Sequence, residues 1–174
     1  MYGLLGEHLP HSFSPQIHLA LGNEDYNLYE IEPENLEEFL RLKKFKGINV
    51  TIPYKKAVIP YLDVISSEAM KIGAVNTITV RDGKLYGDNT DYFGFKYMVE
   101  KSNIDISGKK GLILGSGGAS ATAVAVLHSL NAKVYVISRS GKHNYQNLHL
   151  PLLGAYQPYN ATLVLTAVEL LKEQ

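Results

Sequence analysis

The sequence has no cysteine among its 174 residues. This absence excludes disulfides, thiolate zinc sites and cysteine nucleophiles. The sequence also lacks a surplus of either charge, because its 17 basic and 17 acidic side chains give a formal net charge of zero. Nucleic acids and anionic membranes attract basic proteins, so neither is expected as the main partner.

Long apolar runs are missing as well. No stretch reaches the length that a membrane span requires, and the N-terminal segment lacks the basic start and apolar core of a signal peptide. A cytoplasmic location is therefore predicted. The six histidines show no metal-ligand spacing with carboxylates, so no metal site is predicted. Apolar residues nevertheless make up 45% of the chain, which is enough for a packed core.

Strand and helix patterns alternate over residues 1–87 and end in a hairpin whose turn contains Asp82 and Gly83. This order predicts an N-terminal α/β domain. A helix from Thr90 follows as a connector. The order strand 111–114, helix from about Ala119 and strand 133–137 then predicts one βαβ unit, which would be part of a Rossmann-like nucleotide-binding domain.

A glycine-rich loop joins the first strand of this unit to its helix. It consists of Gly115, Ser116, Gly117, Gly118 and Ala119. Glycines let the backbone approach a pyrophosphate, and the helix N-terminus offers free N–H groups. The strand–loop–helix context favours a nucleotide site over a ligand-free turn, although Ser120 stands where the last glycine of the motif would fall.

The end of the second strand bears on the choice of cofactor. NAD sites place an acidic residue there, whereas this sequence has Ser138, Arg139 and Ser140. A guanidinium can pair with a 2′-phosphate, so NADP is favoured over NAD. The alternative is that Arg139 is an ordinary surface arginine.

Candidate substrate residues lie in the N-terminal half. Ser12 and Ser14 flank a predicted helix start, where two hydroxyls and free backbone donors could bind a carboxylate. The local sequence by itself favours simple helix capping by Ser14. Thr51 and Lys55 lie at the carboxyl end of a predicted strand, Ile48 to Ile52, that Pro53 ends. This is the edge where open α/β sheets bind ligands.

Two further polar residues complete the set. The Asn76 amide could bind two vicinal hydroxyls, and Asp91 either caps the connector helix or pairs with Lys55. A lysine and a carboxylate across a cleft suit reversible proton transfer on a hydroxyl or carbonyl. Together these residues predict a pocket for a small polyhydroxylated carboxylic acid.

Five motifs support a family assignment: HSFSP (11–15), GINVTIPYK (47–55), GAVNT (73–77), GDNTDYFGF (87–95) and ILGSGGAS (113–120). In this order and spacing the sequence closely resembles the NADP-dependent shikimate dehydrogenases of aromatic amino acid biosynthesis. The resemblance implies reversible NADPH-dependent reduction of 3-dehydroshikimate to shikimate.

The resemblance also implies roles for the residues that match the motifs. Ser12 and Ser14 would hold the substrate carboxylate, while Thr51, Asn76 and Asp91 would bind ring hydroxyls. Lys55 and Asp91 would form the catalytic pair. The segments 115–119 and 138–143 would bind NADP, with His143 standing where a second basic residue is expected.

The resemblance fades after about residue 148. We therefore expect a shikimate-binding catalytic domain over 1–90, a connector helix over 91–106 and a partial NADP-binding domain over 107–148. Residues 149–174 are expected to form an atypical tail with a helix. The last 25 residues or so resemble a segment of the folylpolyglutamate synthase and Mur ligase group.

Two alternatives to a shikimate dehydrogenase stay open at this point. One is a quinate/shikimate dehydrogenase with relaxed cofactor use. The other is a remnant that binds shikimate without turning it over, which a partial nucleotide domain would favour. Small-molecule substrates are expected in each case, and the sequence does not predict an oligomeric state.

Overall fold

The computed structural model describes residues 1–114 and 118–137. The chain divides into two compact units, Met1–Gly94 and the part that begins at Phe95. Predicted elements at residues 141–174, including the tail helix, lie outside the described residues. The α/β fold class predicted from the sequence is confirmed.

The N-terminal unit is built on a six-stranded mixed sheet with the strand order β2-β1-β3-β5-β6-β4. Strand β1 pairs in parallel with both β2 and β3, β5 runs antiparallel to β3 and β6, and β4 is parallel to β6. The strands are β1 (Tyr2–Gly6), β2 (Tyr26–Glu30), β3 (Gly47–Val50), β4 (Val64–Ile65), β5 (Thr77–Arg81) and β6 (Lys84–Asp88).

Five α-helices accompany this sheet, and the fifth continues past the end of the unit. They are α1 (Ser14–Ala20), α2 (Leu36–Leu42), α3 (Tyr54–Ala57), α4 (Ser67–Ile72) and α5 (Thr90–Lys101). Helix α4 shows why such segments are helical: the Ser66 side chain accepts from the Ala69 N–H at its start, and Gly73 ends it with a left-handed φ of 69°. The predicted β5–β6 hairpin is present, and Asp82 and Gly83 both adopt positive φ in its turn.

The main hydrophobic core lies within the N-terminal unit. Alternation along β3 directs Ile48 and Val50 into it, and α2 contributes Leu36 and Leu40. Its buried members are Leu5, Leu36, Leu40, Phe45, Ile48, Val50, Tyr54, Val58, Ala69, Val75, Ile78 and Leu85. A smaller cluster of Leu4, Leu9 and Tyr26 is separate from this core. The core fixes the positions of the strand ends from which the candidate site is built.

The second unit contains the predicted βαβ arrangement. Strand β7 (Lys110–Leu114) pairs in parallel with β8 (Lys133–Ile137), and helix α6 (Gly118–Ser129) connects them. A parallel pair needs such a crossover connection. In α6, Thr122 and Val126 are buried.

Candidate active site

A cavity of about 620 Å³ lies in the N-terminal unit where β1 and β3 end. Three of the predicted substrate residues, Ser12, Ser14 and Thr51, line it. Its remaining walls come from the loop after β1 and the segment after β3: Leu4, Glu7, His8, Leu9, Pro10, His11, Ile52 and Pro53. The carboxyl ends of two parallel strands meet here, as the sequence predicted for a ligand site.

The two serines are arranged differently from the capping scheme that we predicted. Helix α1 begins at Ser14 itself, the residue before it is Phe13, and no side chain caps the helix. Instead, the Ser12 hydroxyl accepts a hydrogen bond from the Ser14 N–H at 3.2 Å. Ser14 therefore does not act as the N-cap, because its backbone is already helical. Both residues line the cavity.

Thr51 is the first residue after β3, which ends at Val50 rather than at Ile52 as predicted. Its backbone is held at both ends: its N–H donates to the Leu5 carbonyl and its carbonyl accepts from the Tyr54 N–H, each at 2.9 Å. The Thr51 side-chain hydroxyl makes no hydrogen bond within the described part of the chain. It can therefore donate to and accept from a ligand.

Lys55 and Asp91 form an ion pair although 36 positions separate them. The Lys55 Nζ lies 2.7 Å from the Asp91 Oδ2. Lys55 is in the short helix α3, which the buried ring of Tyr54 anchors in the core, and Asp91 is in the first turn of α5. The side chains are 25% and 46% exposed, so both can reach a ligand in solvent contact. Neither lines the cavity described above.

Asn76 is 7% exposed and lies beside the start of α5. Its Oδ1 accepts from the Thr90 N–H at 2.8 Å, and its Nδ2 donates to the Thr90 hydroxyl at 3.1 Å. These bonds tie the GAVNT segment to the helix that carries Asp91. Asn76 thus positions the start of α5, and one Nδ2 hydrogen remains for a further acceptor.

Three polar side chains around these residues were not predicted as part of the site. Tyr26 donates to the Asn49 Oδ1 at 2.8 Å, and Asn89, which is 1% exposed, donates to the Ala74 carbonyl at 2.9 Å. The sequence could have marked Asn49 as a site residue, since it is a polar residue in an otherwise apolar strand. No sequence feature marks Tyr26 or Asn89, because their hydrogen-bond partners are distant in sequence.

The predicted cofactor loop is described only in part. Gly118 and Ala119 begin α6, and the first turn of this helix contains no acidic residue. Free N–H groups without a nearby carboxylate fit the pyrophosphate of a dinucleotide. Six predicted cofactor residues lie outside the described residues: Gly115, Ser116, Gly117, Ser138, Arg139 and Ser140.

Residues 1–114 and 118–137 contain neither a cluster of metal ligands nor a helix of membrane-spanning character. No group of three or more histidine and acidic side chains there could hold a metal ion. Among the same residues, no helix combines the length and the apolar character that crossing a bilayer requires. The cytoplasmic location stays a prediction.

Comparison with known proteins shows which protein family the N-terminal unit resembles. Residues 4–78 match the family described as the shikimate dehydrogenase substrate binding domain. The N-terminal unit belongs to this family. The family resemblance recognised from the five motifs is therefore confirmed.

Individual relatives match beyond the substrate-binding domain. A shikimate dehydrogenase (NADP+) from Clostridium beijerinckii is 48% identical over 153 residues, which cover 82% of this chain and 56% of the relative. A shikimate dehydrogenase (NADP+) from Halothermothrix orenii is 47% identical over 150 residues, which cover 80% of this chain and 52% of the relative. The chain thus spans about half the length of these relatives.

Solved structures give the same result. Shikimate dehydrogenase 1 from Peptoclostridium difficile is 46% identical with a TM-score of 0.70, and the match covers 80% of this chain and 57% of that one. The Thermus thermophilus enzyme in complex with NADP(H) and shikimate is 36% identical with a TM-score of 0.72, covering 80% and 56%. None of these matches supports the resemblance of the last 25 residues or so to the folylpolyglutamate synthase and Mur ligase group.

Proposed function

We propose that this chain is a shikimate dehydrogenase, which reversibly reduces 3-dehydroshikimate to shikimate with NADPH. The observation that carries the proposal is the ion pair of Lys55 and Asp91. Two motifs 36 positions apart supply its members, and their charged atoms lie 2.7 Å apart. The names of the relatives, all shikimate dehydrogenases (NADP+), support the same reaction.

Lys55 moves the proton in this mechanism. When the ketone is reduced, the Lys55 ammonium donates a proton to the carbonyl oxygen as that oxygen becomes a hydroxyl. In the reverse direction, neutral Lys55 accepts the hydroxyl proton as the carbon is oxidised. Asp91 holds the Nζ in place through their hydrogen bond and accepts from a neighbouring ring hydroxyl.

The cavity holds the other end of the substrate. Ser12 and Ser14 donate their hydroxyl protons to the carboxylate, and Thr51 binds a ring hydroxyl. Thr51 and Lys55 are joined by one short segment whose two ends are fixed by β3 and by the core residue Tyr54. Because both ends are anchored, the substrate ring keeps a constant orientation relative to the Lys55 ammonium that donates the proton.

The second unit fits the cofactor. When bound, NADPH supplies the hydride. Gly118 and Ala119, together with Gly115, Ser116 and Gly117, would hold its pyrophosphate at the start of α6, where the first turn carries no acidic residue. Ser138, Arg139 and Ser140 would hold its 2′-phosphate, for which a guanidinium is well suited.

Lys55→Ala tests the proposal against a matched control in the same helix. The purified 174-residue chain is expected to form NADPH from shikimate and NADP, followed by absorbance. Loss of the proton-transfer group should lower kcat by about 10²- to 10⁴-fold. Lys56→Ala removes an exposed lysine one position away and should leave the rate nearly unchanged.

Three outcomes would contradict parts of the proposal. Equal loss in the two variants would show that Lys55 has no special role. No turnover in a folded wild-type chain that still binds shikimate would favour the non-catalytic binding protein. Faster turnover of quinate than of shikimate would favour the quinate/shikimate alternative.

A further inference from the structure

The segment Val75-Asn76 is bonded to both halves of the ion pair that Lys55 and Asp91 form. The Val75 N–H donates to the Lys55 carbonyl at 2.7 Å. The Asn76 side chain bonds to Thr90, the residue directly before Asp91. All of these residues belong to the N-terminal unit. The Asn76 amide is therefore placed beside the proton-transfer pair, and its orientation decides which group it offers to a substrate.

The backbone of Thr90 determines which end of this amide is the oxygen. The Thr90 N–H can only donate, and it lies 2.8 Å from the Asn76 Oδ1. A flipped amide would place the Nδ2 hydrogens against this N–H, so that two donors would face each other. The amide oxygen therefore faces the start of α5.

Both lone pairs of the Asn76 oxygen are used within a small cluster of hydroxyls. The Thr90 N–H takes one of them. The hydroxyls of Thr77 and Thr90 lie 3.1 and 3.2 Å from the same oxygen and 3.3 Å from each other. Whichever hydroxyl donates to the Oδ1, the other can donate to that hydroxyl. Each hydroxyl proton is then used once, and the amide oxygen has no lone pair left for a ligand.

The amide nitrogen of Asn76, in contrast, keeps a free donor. One Nδ2 hydrogen goes to the Thr90 hydroxyl oxygen at 3.1 Å. This oxygen has two lone pairs, so the bond is compatible with either direction of the hydroxyl protons. The second Nδ2 hydrogen has no acceptor within the described part of the chain. The amide can therefore bind a ligand oxygen that accepts a hydrogen bond, but not a ligand group that only donates.

We propose that Thr90 is a positioning residue of the substrate site, which orients the Asn76 amide so that it offers one hydrogen, and no acceptor, to a ring oxygen of the substrate. This inference rests on the proposed function, because the ring is that of shikimate. An amide that is already oriented lowers the cost of binding. The Thr90 hydroxyl therefore acts on substrate affinity through Asn76.

The experiment measures shikimate binding to the 174-residue chain by titration calorimetry. Thr90→Val keeps the shape of the side chain and removes its hydroxyl, and is expected to weaken binding by about 3- to 10-fold, which corresponds to one lost hydrogen bond. Thr90→Ser keeps the hydroxyl and should bind within about twofold of the wild type. Thr90 is exposed, and Thr90→Ala removes the same hydroxyl if Thr90→Val does not fold.

Thr79 provides a matched control on β5. It lies two residues after Thr77 and is likewise partly buried. Its hydroxyl makes no hydrogen bond within the described part of the chain. Thr79→Val therefore removes a threonine hydroxyl without disturbing the amide, and it is expected to bind shikimate like the wild type.

A double mutant separates positioning from general stability. If Thr90 acts through the Asn76 amide, then Thr90→Val should weaken binding by less than about twofold in an Asn76→Ala background. Multiplicative losses would overturn the inference while the proposed function stands, and so would a loss in Thr90→Ser or Thr79→Val equal to that in Thr90→Val. A folded wild-type chain that does not bind shikimate would overturn both.

Discussion

Asn89 illustrates how single residues hold the catalytic pair in place. Its Nδ2 donates to the Ala74 carbonyl, and its own N–H donates to the Asp88 carboxylate at 2.7 Å. The Ser66 hydroxyl donates to the same Asp88 oxygen at 2.6 Å. These bonds connect the GAVNT and GDNTD segments directly before α5, so the position of Asp91 depends on them.

Replacing Asn89 by alanine is expected to cost about 2–3 kcal/mol in the free energy of unfolding. The variant loses a buried hydrogen bond, leaves the Ala74 carbonyl without this donor and opens a small cavity. Urea unfolding measures the change. Asn35→Ala is the control, because Asn35 is exposed and its side chain does not cap the following helix. A loss for Asn89→Ala no larger than for Asn35→Ala would contradict this account.

At the scale of helices and strands, local signals predicted most of the fold. The Asp82-Gly83 hairpin depends on neighbouring residues and is present as predicted. The helix that ends at Gly73 also depends on local signals, namely its Ser66 cap and the glycine itself. The two-residue strand β4 was not predicted, since only its pairing with β6 makes it a strand. Of the site, the Lys55–Asp91 pairing was anticipated, while Tyr26 and Asn89 depend on contacts across the fold that no local pattern encodes.

Asp63, the residue before β4, binds the β5–β6 hairpin through its carboxylate, and this contact is sensitive to pH. Its carboxylate accepts from the Leu85 N–H at 2.7 Å and lies 3.6 Å from the Lys43 Nζ. The hydrogen bond from Leu85, and secondarily Lys43, hold the pKa of Asp63 below its ordinary value of 3.8. The folded state favours the ionised form of Asp63. The stability that its carboxylate contributes is therefore fully present above pH 3.8 and is lost as the pH falls through the lowered pKa.

Asp63→Asn is therefore expected to lower the thermal unfolding midpoint at neutral pH. The gap between wild type and variant should close as the pH falls through the lowered pKa, where the wild-type carboxylate is protonated as well. Melting curves between neutral and acid pH measure this gap. Glu24→Gln is the control, since Glu24 is exposed and has no ion-pair or hydrogen-bond partner within residues 1–114 and 118–137. A gap that is constant with pH would exclude an electrostatic origin.

At the scale of the whole molecule, the residues of the proposed substrate site and the main hydrophobic core belong to one unit. All twelve buried residues of that core fall within Met1–Gly94, as do Ser12, Lys55 and Asp91. The predicted cofactor residues belong to the other unit. Substrate affinity should therefore follow the packing of the N-terminal core.

Leu40→Ala tests this dependence. Leu40 is fully buried in the core, so its truncation should cost about 2–5 kcal/mol. Hydrogen exchange measured by mass spectrometry should then show loss of protection in peptides from residues 1–94 that exceeds any loss in peptides from 95–137, and shikimate binding should weaken in parallel. Leu42→Ala is the control, because Leu42 is in the same helix but is 46% exposed. Equal loss of protection in both sets of peptides would mean that the N-terminal core does not fold as its own cooperative unit.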